Sequence, residues 1–290
     1  MAKLLEGKPI AEKIKEEIKL EIQTLKNNPV LASILVCDNP GCEAYVKSQK
    51  NLAESLGINC RFHKLSVDIK EEALLEFIDN LNSNKSVNGI IVQMPLPGQI
   101  NARKVREAIL PEKDVEGMHS CNIGKIVFGS AKILPCTPAA VMELLNSAGI
   151  DLYGKEVVIV GHSEIVGKPL ALLLLEKFAT VTICHIGTSK AGKLEEHIKR
   201  AEILIVAVGK AGLIKGEWVK EGAIVIDVGI NKVGDKIVGD VEFEKAFERA
   251  GYITPVPGGV GPLTVTMLMR NLVEAAKLQQ TPGLIPGLIG

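Results

Sequence analysis

The sequence predicts an α/β protein of two lobes, each built on a largely parallel sheet. The chain has 290 residues, which is about two domains of roughly 150 residues, and its 47% hydrophobic content can fill two sizeable cores. Helical and strand patterns alternate through the first half, and short Val/Ile runs without polar alternation recur in the second. Alternating β and α segments produce parallel sheets that are covered by helices.

The first lobe is predicted from the first half of the chain. Its elements are a helix over 9–26, a strand over 30–38, a helix over 45–58, a strand near 60–66, a helix over 70–82, a strand over 87–97, a helix over 101–110 and a polar loop over 111–122. The helix over 45–58 carries Tyr45, Gln49, Leu52 and Leu56 on one inward face, at helical spacing.

A second α/β series begins near residue 137. Its first helix, over 137–149, has Thr137 as the expected N-cap and Pro138 at the first helical position, which is typical of a helix start. Four apolar runs follow, over 155–161, 180–185, 202–209 and 223–231. Continuous Val/Ile runs are typical of strands buried on both faces, so we predict a doubly wound, Rossmann-like core that binds a dinucleotide.

The C-terminal part is predicted to return to the first lobe. A Pro/Gly loop leads into a long helix within 252–280, and the segment 281–290 is expected to form an extended surface strap. The predicted domains are therefore 1–138 together with 272–290, and 139–271.

The composition argues against several classes of function. Lys plus Arg and Asp plus Glu both number 34, and no basic run suggests a nucleic-acid partner. The six cysteines form no CxxC pair, and no histidines or cysteines lie at ligand spacing, so neither a disulfide framework nor a metal site is expected. No stretch reaches the roughly 18 apolar residues of a membrane span, so we expect a cytoplasmic protein without a membrane partner.

The segment after the first apolar run of the second lobe has the pattern of a phosphate-binding turn. Gly161 permits a turn where a Cβ would clash, Ser163 can cap the next helix or donate to a phosphate, and Gly167 permits close helix packing. The helix N-terminus offers free N–H groups to a pyrophosphate. The pattern is Gly-x-Ser-x-x-x-Gly rather than GxGxxG, and a plain strand-to-helix turn is the alternative.

The choice between the two nicotinamide dinucleotides stays open from these residues. The second strand ends in "ICHIGT", without the carboxylate that holds the ribose hydroxyls of NAD, and this favours NADP. No arginine lies nearby to hold a 2′-phosphate, and His162 is a poor substitute because imidazole is mostly neutral at pH 7.

Several long motifs occur in an order that resembles one known family. They are "YVKSQK", "GIIVQMPLP", "PEKDVEG", "PCTP", "GHSEIVGKP", "IDVGIN" and "PVPGGVGPLTVTMLMRN". The chain is similar, nearly end to end, to the bifunctional 5,10-methylenetetrahydrofolate dehydrogenase/5,10-methenyltetrahydrofolate cyclohydrolase family. The resemblance implies a folate substrate, NADP or NAD as cofactor, an active site in the cleft between the lobes, and a homodimer that forms through the dinucleotide domain.

The resemblance also implies roles for individual residues. Tyr45 would stack on the folate, Gln93 would hold the residue at position 49, and Glu116 would supply a carboxylate. The other residues expected at the folate are Gln49, Val92, Met94, Pro257, Gly258, Gly259, Val260, Gly261, Pro262, Leu263, Thr264 and Val265, with the glycines allowing close backbone approach. Those expected at the dinucleotide are Thr137, Gly161, His162, Ser163, Ile186 and Ile230.

The sequence departs from the family pattern at four of these positions. Gln49 stands where the family has its catalytic lysine, and Glu116 stands where "KDVDG" has its second aspartate. His162 replaces the arginine of "GRS", and Ile186 replaces the serine that follows the histidine of the second strand. The last two positions are both associated with the 2′-phosphate.

The glutamine at position 49 matters most for chemistry. A buried lysine can exchange a proton near neutrality, whereas a carboxamide cannot titrate, so Gln49 can orient a water but cannot act as its base. We therefore expect dehydrogenase activity with weak cyclohydrolase activity. The alternatives are rescue of the second activity by Lys50 or Glu116, a homologue that only binds folate and dinucleotide, and a dehydrogenase for a substrate other than folate.

Overall fold

The computed structural model describes the backbone of residues 1–36 and 40–280, and the side chains of these residues except 40–45. Two compact units are present. The six-stranded unit comprises Met1–Lys13 and Pro135–Met267, and the three-stranded unit comprises Ile14–Leu134 and Leu268–Gly290. The predicted strap over 281–290 lies outside the described residues.

The helices and strands alternate along most of the chain. The strands are β1 (Lys3–Leu4), β2 (Val30–Leu35), β3 (Asn59–Lys64), β4 (Gly89–Val92), β5 (Glu156–Val160), β6 (Thr180–Cys184), β7 (Ile203–Val206), β8 (Ile224–Asp227), β9 (Asn231–Val233), β10 (Lys236–Val238) and β11 (Tyr252–Ile253). The helices are α1 (Gly7–Gln23), α2 (Pro40–Ser55), α3 (Glu71–Ser83), α4 (Ala102–Ala108), α5 (Ser120–Val127), α6 (Cys136–Ser147), α7 (Gly167–Leu175), α8 (Ile186–Lys190), α9 (Leu194–Arg200), α10 (Phe243–Arg249) and α11 (Val260–Gln280), with a short 3-10 helix at Gly216–Trp218.

The three-stranded unit contains a parallel sheet in the order β3-β2-β4. Every residue of β2 and β4 is buried, because β2 is the central strand and both are apolar. Helix α3 buries Leu74, Ile78 and Leu81, which recur at the spacing of one helical face. The α/β character predicted for this half of the chain is therefore confirmed.

The six-stranded unit contains a parallel sheet in the order β1-β11-β8-β7-β5-β6. After β5 the chain continues to β6 at one edge and then crosses back to β7 on the other side of β5. This reversal is the switch point at which doubly wound sheets bind ligands, beyond the carboxyl ends of the strands. The predicted Rossmann-like core is confirmed.

The burial predicted for one strand, β6, was wrong. Strand β6 was expected to be buried on both faces, but Thr180 is exposed and the next three residues are only half-buried. The reason is its place at the edge of the sheet, where a single neighbour, β5, covers it.

The first residues of the chain belong to a different unit from the one predicted. Strand β1 pairs in parallel with β11, with Lys3 opposite Tyr252 and Leu4 opposite Ile253. Residues 1–13 therefore extend the six-stranded sheet, whereas the predicted domain 1–138 placed them with the first lobe.

Local differences from the predicted elements concern capping and short segments. Helix α6 begins at Cys136 with Pro135 as its N-cap, so Thr137 is inside the helix rather than its cap. Helix α5 lies partly within the loop predicted over 111–122. The β9–β10 hairpin was not predicted, because its short strands are mostly exposed and lack an apolar pattern.

The last part of α11 packs within the three-stranded unit, as predicted for the C-terminal helix. Arg270 forms an ion pair with Glu17, at 2.7 Å between Nη2 and Oε2. The Nδ2 of Asn271 donates to the carbonyl oxygens of Val115, at 2.9 Å, and Leu134, at 2.7 Å. Among the described helices, α11 included, none is long and apolar enough to cross a membrane.

Candidate active site

A tight turn joins β5 to α7 at the switch point of the six-stranded sheet. Gly161 has a φ of 129°, and a Cβ there would clash with the carbonyl oxygen of Ala207. A Cβ at Gly167 would clash with the carbonyl oxygen of Gly161. Both positions therefore require glycine, which explains the spacing noted in the sequence.

Ser163 stabilises this turn through its side chain. Its Oγ accepts a hydrogen bond from the backbone N–H of Val166, at 3.1 Å. Val166 is the N-cap of α7 and makes no side-chain capping bond itself. Ser163 thus orders the approach to the helix, and its hydroxyl hydrogen is free to donate to a ligand.

A cavity of about 390 Å³ lies at the carboxyl ends of β5, β6 and β7. Its walls are formed by Val160, Gly161, His162, Ser163, His185, Ile186, Ser189, Leu194, Ala207, Val208, Lys210 and Leu213. Of the predicted dinucleotide residues, four line it, whereas Thr137 and Ile230 do not. Ile230 is 68% exposed after β8, and Thr137 is half-buried in α6.

Apart from Ile186, the sequence prediction missed the wall residues that follow β6 and β7. His185 and Lys210 are among them. The signal was present, because in a parallel sheet the carboxyl ends of adjacent strands meet at one edge, so the residues after "TIC" and "LIVAV" should have been included.

Two imidazole rings face each other at the wall of the cavity. The centroids of His162 and His185 are 5.1 Å apart, and the rings are inclined at 46°. The Nδ1 of His185 accepts from the N–H of Gly187, at 3.0 Å, in the cap of α8. Because Nδ1 accepts this bond, the proton of the neutral ring is on Nε2.

A second candidate site lies at the carboxyl end of the three-stranded sheet. Gln49 of α2 is 0% exposed, and its Oε1 accepts from the Nε2 of Gln93, at 2.8 Å. The same Nε2 donates to the Oγ of Ser33, at 3.0 Å. Within the described part of the chain the Nε2 of Gln49 has no acceptor. The side chain of Tyr45, predicted on the same face, lies outside the described residues.

The loop that begins at Glu112 is anchored by two buried charged residues. The Nζ of Lys113 donates to the carbonyl oxygens of Leu81, Asn82 and Asn84, at 2.7–3.1 Å, and burial lowers the pKa of this lysine. The Oδ2 of Asp114 accepts from the N–H of His119, at 2.7 Å, and from Asn122. Burial raises the pKa of Asp114, against these hydrogen bonds.

Glu116 lies in the turn that follows the anchored Asp114. Asp114 forms a parallel bridge with Ile90 of β4, and the N–H of Gly117 donates to the carbonyl oxygen of Asp114, at 3.3 Å. Burial raises the pKa of Glu116 to about 7, the neighbouring Asp114 carboxylate raises it further, and Arg106 opposes the shift. Glu116 is therefore a carboxyl group that can exchange a proton near neutral pH.

The remaining residues predicted at the folate are distributed over both units. Val92 is buried in β4, and Met94 is half-buried after it. Residues 257–265 belong to the six-stranded unit. They include the loop residues Pro257, Gly258 and Gly259, and the first turns of α11, in which Val260, Leu263 and Val265 are buried, Thr264 is half-buried, and Gly261 and Pro262 are exposed.

Two of the three glycines in this loop are explained by contacts inside the protein. The carbonyl oxygen of Gly258, whose φ is 113°, accepts from the N–H of Gly7, at 2.9 Å. A Cβ on Gly259 would lie 2.7 Å from the Cβ of Thr254. Gly261 has open space where a Cβ would be. The positive φ of Gly258 and the close packing of Gly259 therefore account for these two glycines, whereas nothing in the packing requires a glycine at position 261 of α11.

Lys50 is directed away from the buried glutamines. Its side chain is 57% exposed, and its Nζ lies 3.8 Å from the Oε1 of Glu54, one turn further along α2. This position does not support the rescue by Lys50 that the sequence left open.

The cavity in the six-stranded unit has the ligand chemistry of a dinucleotide site. The cavity after β5 combines a glycine turn, a hydroxyl and N–H groups at a helix start, which suit a pyrophosphate and its riboses. Among the described side chains, those of residues 1–36 and 46–280, no group of three His, Cys, Asp or Glu could hold a metal ion.

Comparison with protein families matches both units. Residues 5–116 match the family model "Tetrahydrofolate dehydrogenase/cyclohydrolase, catalytic domain". Residues 135–280 match the model "Tetrahydrofolate dehydrogenase/cyclohydrolase, NAD(P)-binding domain".

Individual relatives match along nearly the whole chain. The "Bifunctional protein FolD 2" of Geobacter metallireducens is 50% identical over 281 residues, which is 96% of this chain and 98% of that protein. The bifunctional methylenetetrahydrofolate dehydrogenase/cyclohydrolase structure from Campylobacter jejuni has a TM-score of 0.92 at 46% identity, covering 96% of this chain and 99% of that one.

A third relative was solved with a dinucleotide. The methylenetetrahydrofolate dehydrogenase-cyclohydrolase from Trypanosoma brucei, complexed with NADP and an inhibitor, has a TM-score of 0.90 at 36% identity, covering 95% of this chain and 97% of that one. Full-length matches in sequence and fold agree with the motifs and with the geometry of the glycine turn. The chain belongs to the tetrahydrofolate dehydrogenase/cyclohydrolase family.

Proposed function

We propose that the protein oxidises 5,10-methylenetetrahydrofolate to 5,10-methenyltetrahydrofolate with NADP or NAD, and that it hydrolyses the methenyl product only weakly. The observation that carries the oxidation is the cavity at the switch point, with its obligatory glycines. The observation that carries the weak hydrolysis is the buried carboxamide of Gln49.

The oxidation makes modest demands on the protein. A bound nicotinamide dinucleotide would be the oxidant, and the nitrogen lone pairs of the folate assist the departure of a hydride from the one-carbon bridge. The protein therefore contributes mainly by positioning the folate against the nicotinamide. The turn at Gly161 and the hydroxyl of Ser163 would hold the pyrophosphate. Ser33 and Gln93 would fix the carboxamide of Gln49, whose N–H groups can then donate to the folate or to a water.

Hydrolysis requires a group that takes a proton from water and returns one to the leaving nitrogen. Such acid–base catalysis contributes typically about 10²- to 10⁴-fold. A carboxamide has no proton to exchange in this range, so Gln49 can only orient the water. Glu116, with its pKa raised to about 7, supports a residual rate of hydrolysis.

An absorbance assay tests the proposed function directly. Purified protein is mixed with methylenetetrahydrofolate and either NADP⁺ or NAD⁺, and the near-ultraviolet band of the methenyl product is followed. We expect the product to appear and to decay slowly. Binding of both ligands without turnover would indicate a non-catalytic homologue, and no binding of folate would indicate a different substrate.

Residue 162 provides a test of how NADP is selected. His162 lines the cavity at a position where the family pattern has an arginine. His162→Arg is expected to raise the affinity for NADP⁺ about tenfold and to leave that for NAD⁺ nearly unchanged, because guanidinium keeps its charge and can bind a phosphate through two N–H groups. Calorimetric titration with each dinucleotide measures both affinities.

His197→Gln, on α9, is the matched control and should behave like the wild type. A His162→Arg protein that binds NADP⁺ no more tightly than the wild type would contradict a role for residue 162 in selecting the 2′-phosphate.

Two further properties follow from the family. We propose that the protein is a homodimer that assembles through the six-stranded unit, and that it acts in the cytoplasm. Both proposals rest on the resemblance in sequence, and light scattering of the purified protein tests the first.

A further inference from the structure

The loop after β7 forms one wall of the dinucleotide cavity and is held from behind by a buried carboxylate. Ala207, Val208 and Lys210 line the cavity. The Oδ2 of Asp240 accepts from the N–H groups of Val208, at 2.7 Å, and Gly209, at 3.0 Å. Its Oδ1 accepts from the N–H of Lys210, at 2.7 Å.

The carboxylate of Asp240 is fully enclosed by donors. The residue is 0% exposed, and the Nδ2 of Asn231 provides a fourth hydrogen bond, at 2.9 Å from Oδ1. Three successive N–H groups that converge on one point form an anion-binding concavity, of the kind that often receives a phosphate. Here the protein's own carboxylate occupies it, so these N–H groups are already used before any ligand arrives.

The backbone around Asp240 is fixed by a second buried aspartate. Asp227, at the end of β8, accepts from the N–H groups of Asp240, at 3.0 Å, Val241, at 2.9 Å, and Gly229, at 2.9 Å. A Cβ on Gly229 would clash with the carboxylate of Asp240. The position of Asp240 is therefore fixed by Asp227 at its backbone, by the four donors at its carboxylate and by the close approach of Gly229.

We propose that Asp240 is a positioning residue for the dinucleotide site, which holds the loop 207–210 in its binding conformation in the free protein. The inference rests on the proposed function, because it assumes that the cavity takes NADP or NAD. Asp240 does not touch the cavity itself and acts through the three N–H groups. Its contribution is preorganisation, since an ordered loop has less conformational freedom to lose on binding.

The Asp240→Asn variant tests this proposal with little change in size. A carboxamide has only one acceptor oxygen. In either orientation its NH₂ group would face two of the four N–H groups that donate to Asp240, and these two would lose their acceptor. We expect the dissociation constants of NADP⁺ and NAD⁺ to rise about ten- to a hundredfold. We expect kcat at saturating dinucleotide to change less than about threefold, because the loop reaches the same bound state.

The matched control is Glu242→Gln, which removes the same charge two residues away. The carboxylate of Glu242 pairs with Lys215 and Lys245 and not with the loop. It should leave both dissociation constants unchanged. A folded Asp240→Asn protein that binds dinucleotide like the wild type, or a Glu242→Gln protein with the same loss, would refute the proposal.

Hydrogen exchange on the wild type provides a test that needs no variant. The amides of residues 208–210 are expected to exchange slowly without dinucleotide, at rates close to those of β7, and to change little when NADP⁺ is added. Fast exchange that becomes slow only with NADP⁺ would overturn the proposal. A wild-type protein that binds neither NADP⁺ nor NAD⁺ would instead refute the proposed function.

Discussion

Replacing Gln49 by lysine is expected to raise the rate of methenyltetrahydrofolate hydrolysis by about 10²- to 10⁴-fold, the usual range for one acid–base group. The change restores a titratable amine at a position that is 0% exposed, where burial lowers the pKa of an ammonium toward neutrality. The carboxamide of Gln93 must rotate so that its oxygen faces the ammonium. The rate of dehydrogenation should change little. Stopped-flow decay of the methenyl band measures hydrolysis, and dinucleotide reduction measures oxidation.

Lys50→Gln is the matched control on the same helix. Lys50 is exposed and paired with Glu54, so its loss should alter neither reaction. A folded Gln49→Lys protein without faster hydrolysis would contradict the proposed role of residue 49. Wild-type hydrolysis as fast as that of the Gln49→Lys protein would also contradict this role, and would indicate that Glu116 supplies the acid–base catalysis.

The second large effect concerns stability and pH. Glu116 has its pKa raised from 4.5 to about 7, so between these values the folded protein binds more protons than the unfolded chain. The free energy of unfolding should therefore decrease as pH rises through this window, by about 3 kcal/mol from this residue. Glu116→Gln should remove the decrease and make the protein more stable than the wild type above about pH 7.

Urea unfolding at pH values on both sides of the window measures this difference. Asp227, whose pKa is raised to about 6 by burial, adds a similar decrease at lower pH that Glu116→Gln should leave intact. Glu112→Gln, at an exposed position in the same loop, is the control and should follow the wild-type curve. Parallel curves for wild type and Glu116→Gln would contradict this prediction, because they would show that the pKa of Glu116 is the same in the folded and the unfolded protein.

The parts of the fold that have strong local patterns were predictable from the sequence. Apolar runs without alternation correctly indicated buried parallel strands such as β5 and β7, and the Gly-x-Ser pattern indicated the tight turn between β5 and α7. Strand β1 was not predictable, because two residues carry no periodic signal and their partner, β11, is about 250 positions away. The predicted cap at Thr137 failed because the helix starts one residue earlier, at Cys136.

Motifs allowed some residues of the candidate sites to be chosen from the sequence. Gln49, Gln93 and Gly161 were chosen in this way, and the structure places Gln49 against Gln93 and Gly161 in the wall of the cavity. Lys113, Asp114 and Asp240 were missed as supports, because each acts through backbone groups distant in sequence. Nothing in the local sequence marks a buried ammonium that binds three carbonyl groups, or a carboxylate that binds three successive amides.

The pairing of β1 with β11 has a consequence for how the chain is made. Strand β1 has no neighbour to pair with until β11 has been synthesised, because Lys3 lies opposite Tyr252. Strand β1 therefore stays unpaired while the later strands of its sheet assemble, and it completes one edge of the six-stranded sheet last. A bulky tag fused at Met1 should for this reason slow the final step of folding, whereas earlier steps should proceed at their normal rate.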